Sequence, residues 1–599
     1  MASSFTIAPK SGFKGYVSRA SNASVDYLSQ PSQNCLVTED GKAESRFGYQ
    51  SEFSIGVSGS PATVFYHKTY DVAFFALGTS VYYHDFTTGQ TYDTELNVTA
   101  GTTTRFSEFM GDVYLSNTTD GLRRIVCMRL NDAAANSGDA TVTVDSDGAA
   151  RLSVFGTTSG TFKIQGNDEA FASLVIATGV VTLSGTLSQS YADNTFALVA
   201  LIISSGREKA SKTLFWKNRL HLMGFPSASN FDQPNNAVSA GQFASMDDLQ
   251  LVIDFTYNTG GSTKISVGHG GKLTNILGVK DNIYFFLEDT VHATANTDIA
   301  TSGAAIGQTI PVLKDELHGC VNEDCATVMG DNALTYITND HRFMRIPIDT
   351  QTGAALSHPE EDFDVDIRDH LKNMDRDQTG ALVWHYRGQR RTIYQVRILG
   401  QWYWFIYDHN IVRQSGTNMV RGAWQPPQQI TPVRGFFERN GVLYGTDPST
   451  DTVYSFGTTF TDNGAAIYTI IAAGEFNVGN AMMREAQLQG DINQPSQINI
   501  RCYVWNETSG KRSGSAKVIN GSSYSYSDDN SVGALPVGDG GVEGETTQIA
   551  KWKKSFDIYP SEATRAQLVA ENQTEGAYFS ISSFQLTGDS YRGTFTKSL

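Results

Sequence analysis

Long apolar runs, cysteine and charge are all scarce in this 599-residue chain, and each scarcity excludes something. The best apolar run, Phe196-Ala-Leu-Val-Ala-Leu-Ile-Ile203, is far shorter than the ~20 residues of a membrane-spanning helix. No membrane anchor is expected. The start, Met1-Ala-Ser-Ser-Phe-Thr-Ile7, has neither the charged n-region nor the apolar h-region of an export signal, so synthesis and assembly in a cytoplasm are expected. Five cysteines (Cys35, Cys127, Cys320, Cys325, Cys502) are too few, too scattered and odd in number for a disulfide framework, and free thiols are the expectation. Charged residues make up 18% of the chain, below the roughly 25% of ordinary domains. With 62 acidic against 45 basic residues the net charge is −17, the wrong sign for gripping nucleic-acid phosphates over the whole surface.

Aromatic and turn-forming residues fill the gap. Thirty-three Phe, 26 Tyr and 7 Trp can bury a large core, and 56 Gly suit many turns between short strands. Helical signals are confined to Asp364–Met374 and Pro560–Asn572. A polar turn followed by an aromatic-rich strand recurs at Gly111–Ser116, Lys217–Leu222, Lys280–Phe286, Gly330–Ile337, Gln389–Tyr394 and Arg439–Tyr444. Such spacing, roughly fifty to sixty residues, is how propeller blades look in sequence, because one small sheet cannot bury both faces and a closed ring of sheets can. An all-β fold is therefore expected, a β-propeller with six blades, the alternative being one or more β-sandwiches.

Two segments break the rhythm. Residues 131–204 are rich in Ala, Thr, Ser and Gly: Ala140-Thr-Val-Thr-Val144, a turn at Asp145-Ser-Asp-Gly148, then Leu152-Ser-Val-Phe155. They are read as a small β-domain inserted in a blade loop, or else as a long hairpin without a core of its own. After Phe460 the strands lengthen around a polar loop, Gly510–Gly544, which suggests a separate C-terminal β-domain. The resulting division is an arm and platform segment at 1–50, first blades at 51–130, the insertion at 131–204, remaining blades at 205–460 and a platform domain at 461–599.

Catalytic and metal chemistry finds little support. Gly268-His-Gly-Gly-Lys-Leu-Thr274 lacks the first glycine and the final Ser/Thr of a phosphate-cradling loop. His318, Cys320 and Cys325 supply three ligands where structural zinc takes four. Asp375-Arg-Asp-Gln-Thr-Gly380 opens like a calcium loop, but Tyr386 stands where the bidentate Glu belongs. The acidic run Glu360, Glu361, Asp362, Asp364, Asp366 and Asp369 reads as a wet or channel-facing surface, not as the opposed pair of a glycosidase. Trp402-Tyr-Trp-Phe-Ile-Tyr407 reads as a buried central strand before a sugar- or base-stacking platform. No residue is assigned a catalytic, cofactor-binding or metal-binding role, no cofactor is expected, and the chain is read as non-enzymatic.

Three stretches, taken in order, resemble the tail nozzle and tail hub (tail tubular protein B-like) proteins of short-tailed bacteriophages. They are Gln33-Asn-Cys-Leu-Val-Thr-Glu-Asp-Gly-Lys-Ala-Glu-Ser-Arg-Phe-Gly48 with its Arg-x-Gly turn, then Leu214-Phe-Trp-Lys-Asn-Arg-Leu-His-Leu-Met-Gly-Phe-Pro226 continued by Asp254–Phe286, and finally Gly445-Thr-Asp447, Val453-Tyr-Ser-Phe456 and Phe460-Thr-Asp-Asn-Gly-Ala-Ala-Ile467. The resemblance implies a propeller with a platform built from both chain ends, a virion structural protein in the tail. It implies a homohexameric ring below the portal-adaptor, contacts with tail fibres or needle, and double-stranded DNA passing through the lumen during ejection without specific binding. A host-surface glycan-binding fibre or spike module is the alternative function, and a glycan-cleaving propeller enzyme a third.

Overall fold

The computed structural model describes residues 3–8, 12–18, 26–132, 135–153, 159–202, 210–216, 219–223, 236–239, 263–266, 271–295, 312–330, 333–415, 418–506, 510–523, 549–558 and 562–590. Nearly all elements are strands, and successive antiparallel sheets follow one another along the chain. The first blade is Thr63–His67, Val72–Leu77, Ser80–Asp85 and Gln90–Asn97. The second opens with Arg105–Phe109, the third with Lys212–Trp216, the fourth with Leu273–Val279, the fifth with Ala326–Met329, the sixth with Leu382–Tyr386 and the seventh with Phe436–Arg439. From the first blade to the sixth each opening strand lies against that of the next, and Phe436–Arg439 of the seventh returns to Thr63–His67. Trp384 packs near Phe436 at 6.2 Å between the sixth and seventh blades. The ring is closed.

Closure uses a strand from far away in sequence. Tyr49–Ser54 pairs antiparallel with Thr452–Phe456, with Tyr49 opposite Phe456 and Phe53 opposite Val453. The propeller therefore has seven blades among the described residues, one more than expected. The six recurring turns all precede the second strand of blades two to seven. In the first blade the same turn is Tyr70-Asp71, where Asp71 takes the left-handed conformation (φ 56°) that Asn440-Gly441 supplies in the seventh. Asp71 can adopt it because a short polar side chain tolerates that region.

The seam between the first and seventh blades is aromatic. Phe53 stacks on His84 at 3.8 Å, and Arg439, paired with Asp71 at 2.7 Å, lies 4.2 Å over Phe86. Burial, reinforced by the nearby Arg439, pushes the His84 imidazole down to about 4. An unfolded histidine takes up its proton near 6.5, so this contribution is complete above about pH 6.5 and declines as pH falls towards 4, by no more than about 3 kcal/mol. His84→Phe is expected to flatten the loss of thermal stability across that window; an unaltered slope would contradict it.

The insertion, expected as a small β-domain in a blade loop over 131–204, sits in the second blade and continues its sheet. Phe196–Ile202 is the blade's own fourth strand, paired with Arg123–Arg129. Gly160–Ile164 then extends the same sheet by pairing with it at Lys163 and Ile164. The core of the insertion (Val142, Val144, Leu152, Phe162, Ile164, Phe171) is completed by Val126, Met128, Ala197 and Val199 of the blade. The expected turn at Asp145–Gly148 starts a helix, Ser146–Ser153, and not a strand. Asp145 caps it, accepting from the Gly148 amide at 2.6 Å.

Both chain ends build the platform. Ser3–Ile7 pairs with Ser583–Ser590, which pairs in turn with the long strand Phe476–Asn493. Cys35–Val37, Ala43–Ser45 and Ser580–Ile581 form a second small sheet. One continuous core runs from Phe13 and Tyr16 through blades four to six to Leu488, Ile500 and Leu586 of the platform. Two expectations fail here. Of the expected helix Pro560–Asn572, the described part, Glu562–Asn572, is a strand hydrogen-bonded to Gln497–Asn506 and Thr469–Ala472. Its Ala, Gln and Glu content favours helix locally, and pairing on both edges overrides that. Gly510–Asn520 is likewise a strand and not the start of the polar loop, whose remainder, from 524, lies outside the described residues. Of Asp364–Met374, only Arg368–Leu371 is helical.

Candidate functional site

The opening strands line the middle of the propeller, and those of the second and third blades begin with cations, Arg105 and Lys212. Arg105 of the second blade donates from Nε to Glu323 at 3.1 Å and from Nη1 to Asp324 at 2.5 Å. Glu323 and Asp324 lead into the fifth blade, across the ring from the second. Lys212 of the third blade donates to Asn275 Oδ1 of the fourth at 2.6 Å and to the Glu323 carbonyl at 3.3 Å. Asp324 O accepts from the Val383 amide of the sixth blade at 2.8 Å. Burial lowers the Lys212 ammonium and is opposed by Asp324, whereas Asp324 and Glu323 together raise the Arg105 guanidinium despite burial. This network ties five blades together and obstructs the axis with side chains.

Two of the three stretches that carry the family resemblance meet in space. Arg46 of the Arg-x-Gly turn reaches Asp462 of the Thr-Asp-Asn-Gly turn at 2.5 and 2.7 Å, and also donates to Asn34 Oδ1 and the Gln429 carbonyl. Arg46 is 4% exposed and the Asp462 side chain 19%, so the cation is buried and its partner partly so. At Gly48 an added Cβ would lie 1.9 Å from the Thr461 carbonyl oxygen, so the close approach requires glycine. The spacing alone did not reveal that the two motifs are halves of one joint.

Beside this joint is a cavity of about 550 Å³ bounded by the arm, the sixth and seventh blades and the C-terminal segment. Glu44, Arg46, Arg391, Gln389, Asn410 and Tyr578 are among its polar groups, and Leu36, Trp404 and Leu443 among its apolar walls. Burial raises the Glu44 carboxyl pKa, partly offset by the Tyr578 hydroxyl that donates to it at 2.9 Å. Nothing in the sequence pattern marked this cavity; its walls come from four distant segments.

The other candidates resolve as structure. Asp364 of the acidic run is fully buried, held by Arg342 Nε at 2.8 Å and Arg368 Nε at 3.0 Å. Glu360 pairs with Arg345 and Asp369 with Lys372, both at 2.8 Å. Of the run expected as a wet or channel-facing surface, Glu361 and Asp362 are exposed and Asp364 alone is buried, with arginines from the fifth blade and the run's own helix pairing with part of it. Trp402–Tyr407 lies in the strand Gln401–Ser415, with Trp404, Phe405, Ile406 and Tyr407 buried as expected of a central strand. Residues 268–270 lie outside the described residues, but the Lys272 amide already donates to the Glu288 carboxylate at 3.1 Å, an anion where a phosphate would sit. Asp375 accepts from the Gly400 amide and Asp377 from the Thr379 amide, as turn carboxylates do.

His318 faces Asp315 and Asp340, while Cys320 and Cys325 are buried and donate to the Asn322 and Ala381 carbonyls at 3.2 Å. The three are not brought together as ligands. All five cysteines are buried and free, and burial pushes the Cys320 and Cys502 thiols up to about 12. Native protein at pH 8 is therefore expected to resist iodoacetamide at every cysteine and to take up five equivalents once unfolded; mass spectrometry showing rapid native labelling at any of them would refute this.

No protein-family model and no curated protein matches the chain. Among solved structures it is similar to a chain of the mitotic checkpoint complex, at 10% identity over 69% of this chain and 92% of that one, with a TM-score of 0.33. It is similar also to Hsv2 of Kluyveromyces lactis, at 6% identity over 61% of this chain and 97% of that one, with a TM-score of 0.26. It is the closed ring of sheets in the chain itself that makes this protein a β-propeller.

Proposed function

We propose that the chain is a structural, non-enzymatic subunit of a bacteriophage tail, a nozzle or hub protein that joins copies of itself in a homohexameric ring below the portal-adaptor. The observation that carries this reading is the joint of Arg46, Gly48, Thr461 and Asp462, where two resemblance stretches far apart in sequence form one contact. Both termini folded into one platform, and an axis bridged by Arg105 and Asp324, make a stiff block suited to bearing load. With its axis obstructed, each propeller is a wall, and duplex DNA passes between subunits through the lumen of the ring. A net charge of −17 favours passage over adhesion, because an acidic lumen repels the phosphates.

Negative-stain images of the purified protein mixed with the portal-adaptor complex test this reading. A ring docked coaxially is the expected result, and peripheral attachment would refute it. A second reading, host-surface binding, draws on the insertion, whose hairpin tip exposes Val175 and Ile176 at 50% and 48%. Binding to host envelope that is lost when the tip is replaced by Gly-Ser would favour that reading.

A further inference from the structure

The cavity beside the Arg46–Asp462 joint has an uneven set of polar groups. Its two arginines are already neutralised, Arg46 by Asp462 and Arg391 by Asp408, whose Oδ2 accepts from Arg391 Nε at 2.7 Å. Glu44 is the remaining charge on the lining, and its one hydrogen bond among the described residues is the 2.9 Å donation from Tyr578. Gln428, 1% exposed, spends both amide hydrogens on the Cys35 and Pro426 carbonyls at 2.8 and 2.6 Å. Its buried Oε1 has no donor among the described residues. A buried amide oxygen left so costs about 1–3 kcal/mol unless something donates to it. The carboxylate of Glu44 is thus an open anionic acceptor on the lining, beside the side-chain amides of Gln389 and Asn410. Around them stand Leu36, Ile393, Ile406, Ile430 and Leu443, and the rings of Phe47, Phe460 and Tyr578 lie within 6.5 Å of one another on one wall.

We propose that this cavity is a binding site for a small amphipathic cation, an alkyl or aryl body carrying a protonated amine. The amine donates to Glu44, and the body replaces water against the aliphatic and aromatic walls. A volume of about 550 Å³ lies within the range of small-molecule sites, which pair mostly apolar walls with a few convergent polar groups. An anionic ligand would meet Glu44, with both arginines already engaged, and a neutral one would leave the Glu44 carboxylate without a counter-charge.

Three probes of one shape, 4-phenylbutylamine, 4-phenylbutanol and 4-phenylbutyrate, separate these possibilities by ligand-observed NMR titration of the full chain at pH 7.5. The amine is expected to bind with Kd of about 1 mM or tighter, as fits a ligand of that size, and at least tenfold more tightly than the alcohol or the carboxylate. Glu44→Gln, which keeps the side-chain shape, should bring the amine to the level of the alcohol. Val442→Trp, at the partly exposed lip, should reduce binding of the amine at least tenfold. Absence of amine binding at 10 mM, equal affinity for amine and carboxylate, or an amine affinity indifferent to Glu44→Gln and Val442→Trp would each overturn the proposal.

Discussion

Replacing Asp112 with alanine is expected to destabilise the second blade and its insertion by about 3–5 kcal/mol, the cost of leaving buried charges without their partner. Asp112 is fully buried and serves two arginines at once. Its Oδ2 accepts from Arg124 Nε at 2.8 Å and its Oδ1 from Arg151 Nε at 2.9 Å and the Cys127 amide at 3.2 Å. Arg151 comes from the helix of the insertion and also donates to the Tyr70 hydroxyl of the first blade at 2.8 Å. Asp112 is therefore the pin through which the insertion is held to the ring. A chain of this size need not unfold in one step, so the readout is hydrogen exchange across Arg123–Arg129 and Phe196–Ile202, where protection should collapse. Replacing the whole triad (Asp112→Leu, Arg124→Leu, Arg151→Met) should recover much of the loss, because no charge is then stranded. An effect of Asp112→Ala below about 1 kcal/mol would place it with ordinary exposed ion pairs and contradict this account.

Trp424→Ala is expected to cost a comparable amount, about 3–5 kcal/mol, through the cavity it leaves. The indole is fully buried among Phe343 at 5.8 Å, Phe363 at 5.1 Å and Tyr394 and Tyr407 at 5.2 Å. Its Nε1 donates to the Phe363 carbonyl at 2.8 Å, which fastens the acidic segment between the fifth and sixth blades. Limited proteolysis should open the chain within 358–374 in Trp424→Ala and much less in Trp424→Phe, which keeps most of the packing. A protease pattern like that of the parent chain would show that the segment is held by Arg342 and Asp364 instead.

How much of this was legible beforehand depends on the range of the interaction involved. The turn at Asn440-Gly441, the aromatic strands and the buried Trp404–Tyr407 run are written in neighbouring residues, since turn chemistry and alternation act over a few positions. The all-β class followed from them, as did six of the seven second strands. The first blade escaped although Asp71 takes there the positive φ that Lys280, Arg390 and Asn440 take in the fourth, sixth and seventh.

Composition and local pattern by themselves determined that this protein is an acidic all-β chain of repeated hairpins with scattered cysteines and aromatics enough for a large core. Only the tertiary structure decided the blade number, because closure joins Tyr49–Ser54 to Thr452–Phe456 across some four hundred residues of chain. It decided that Glu562–Asn572 is a strand, since the partners on its two edges outvote its own propensity. It brought Arg342 to Asp364, Arg46 to Asp462 and four remote segments around one cavity. The physical reason is common to all of these: hydrogen-bonded edges, ion pairs and cavity walls are relations between residues, and local sequence records only each residue's half of them.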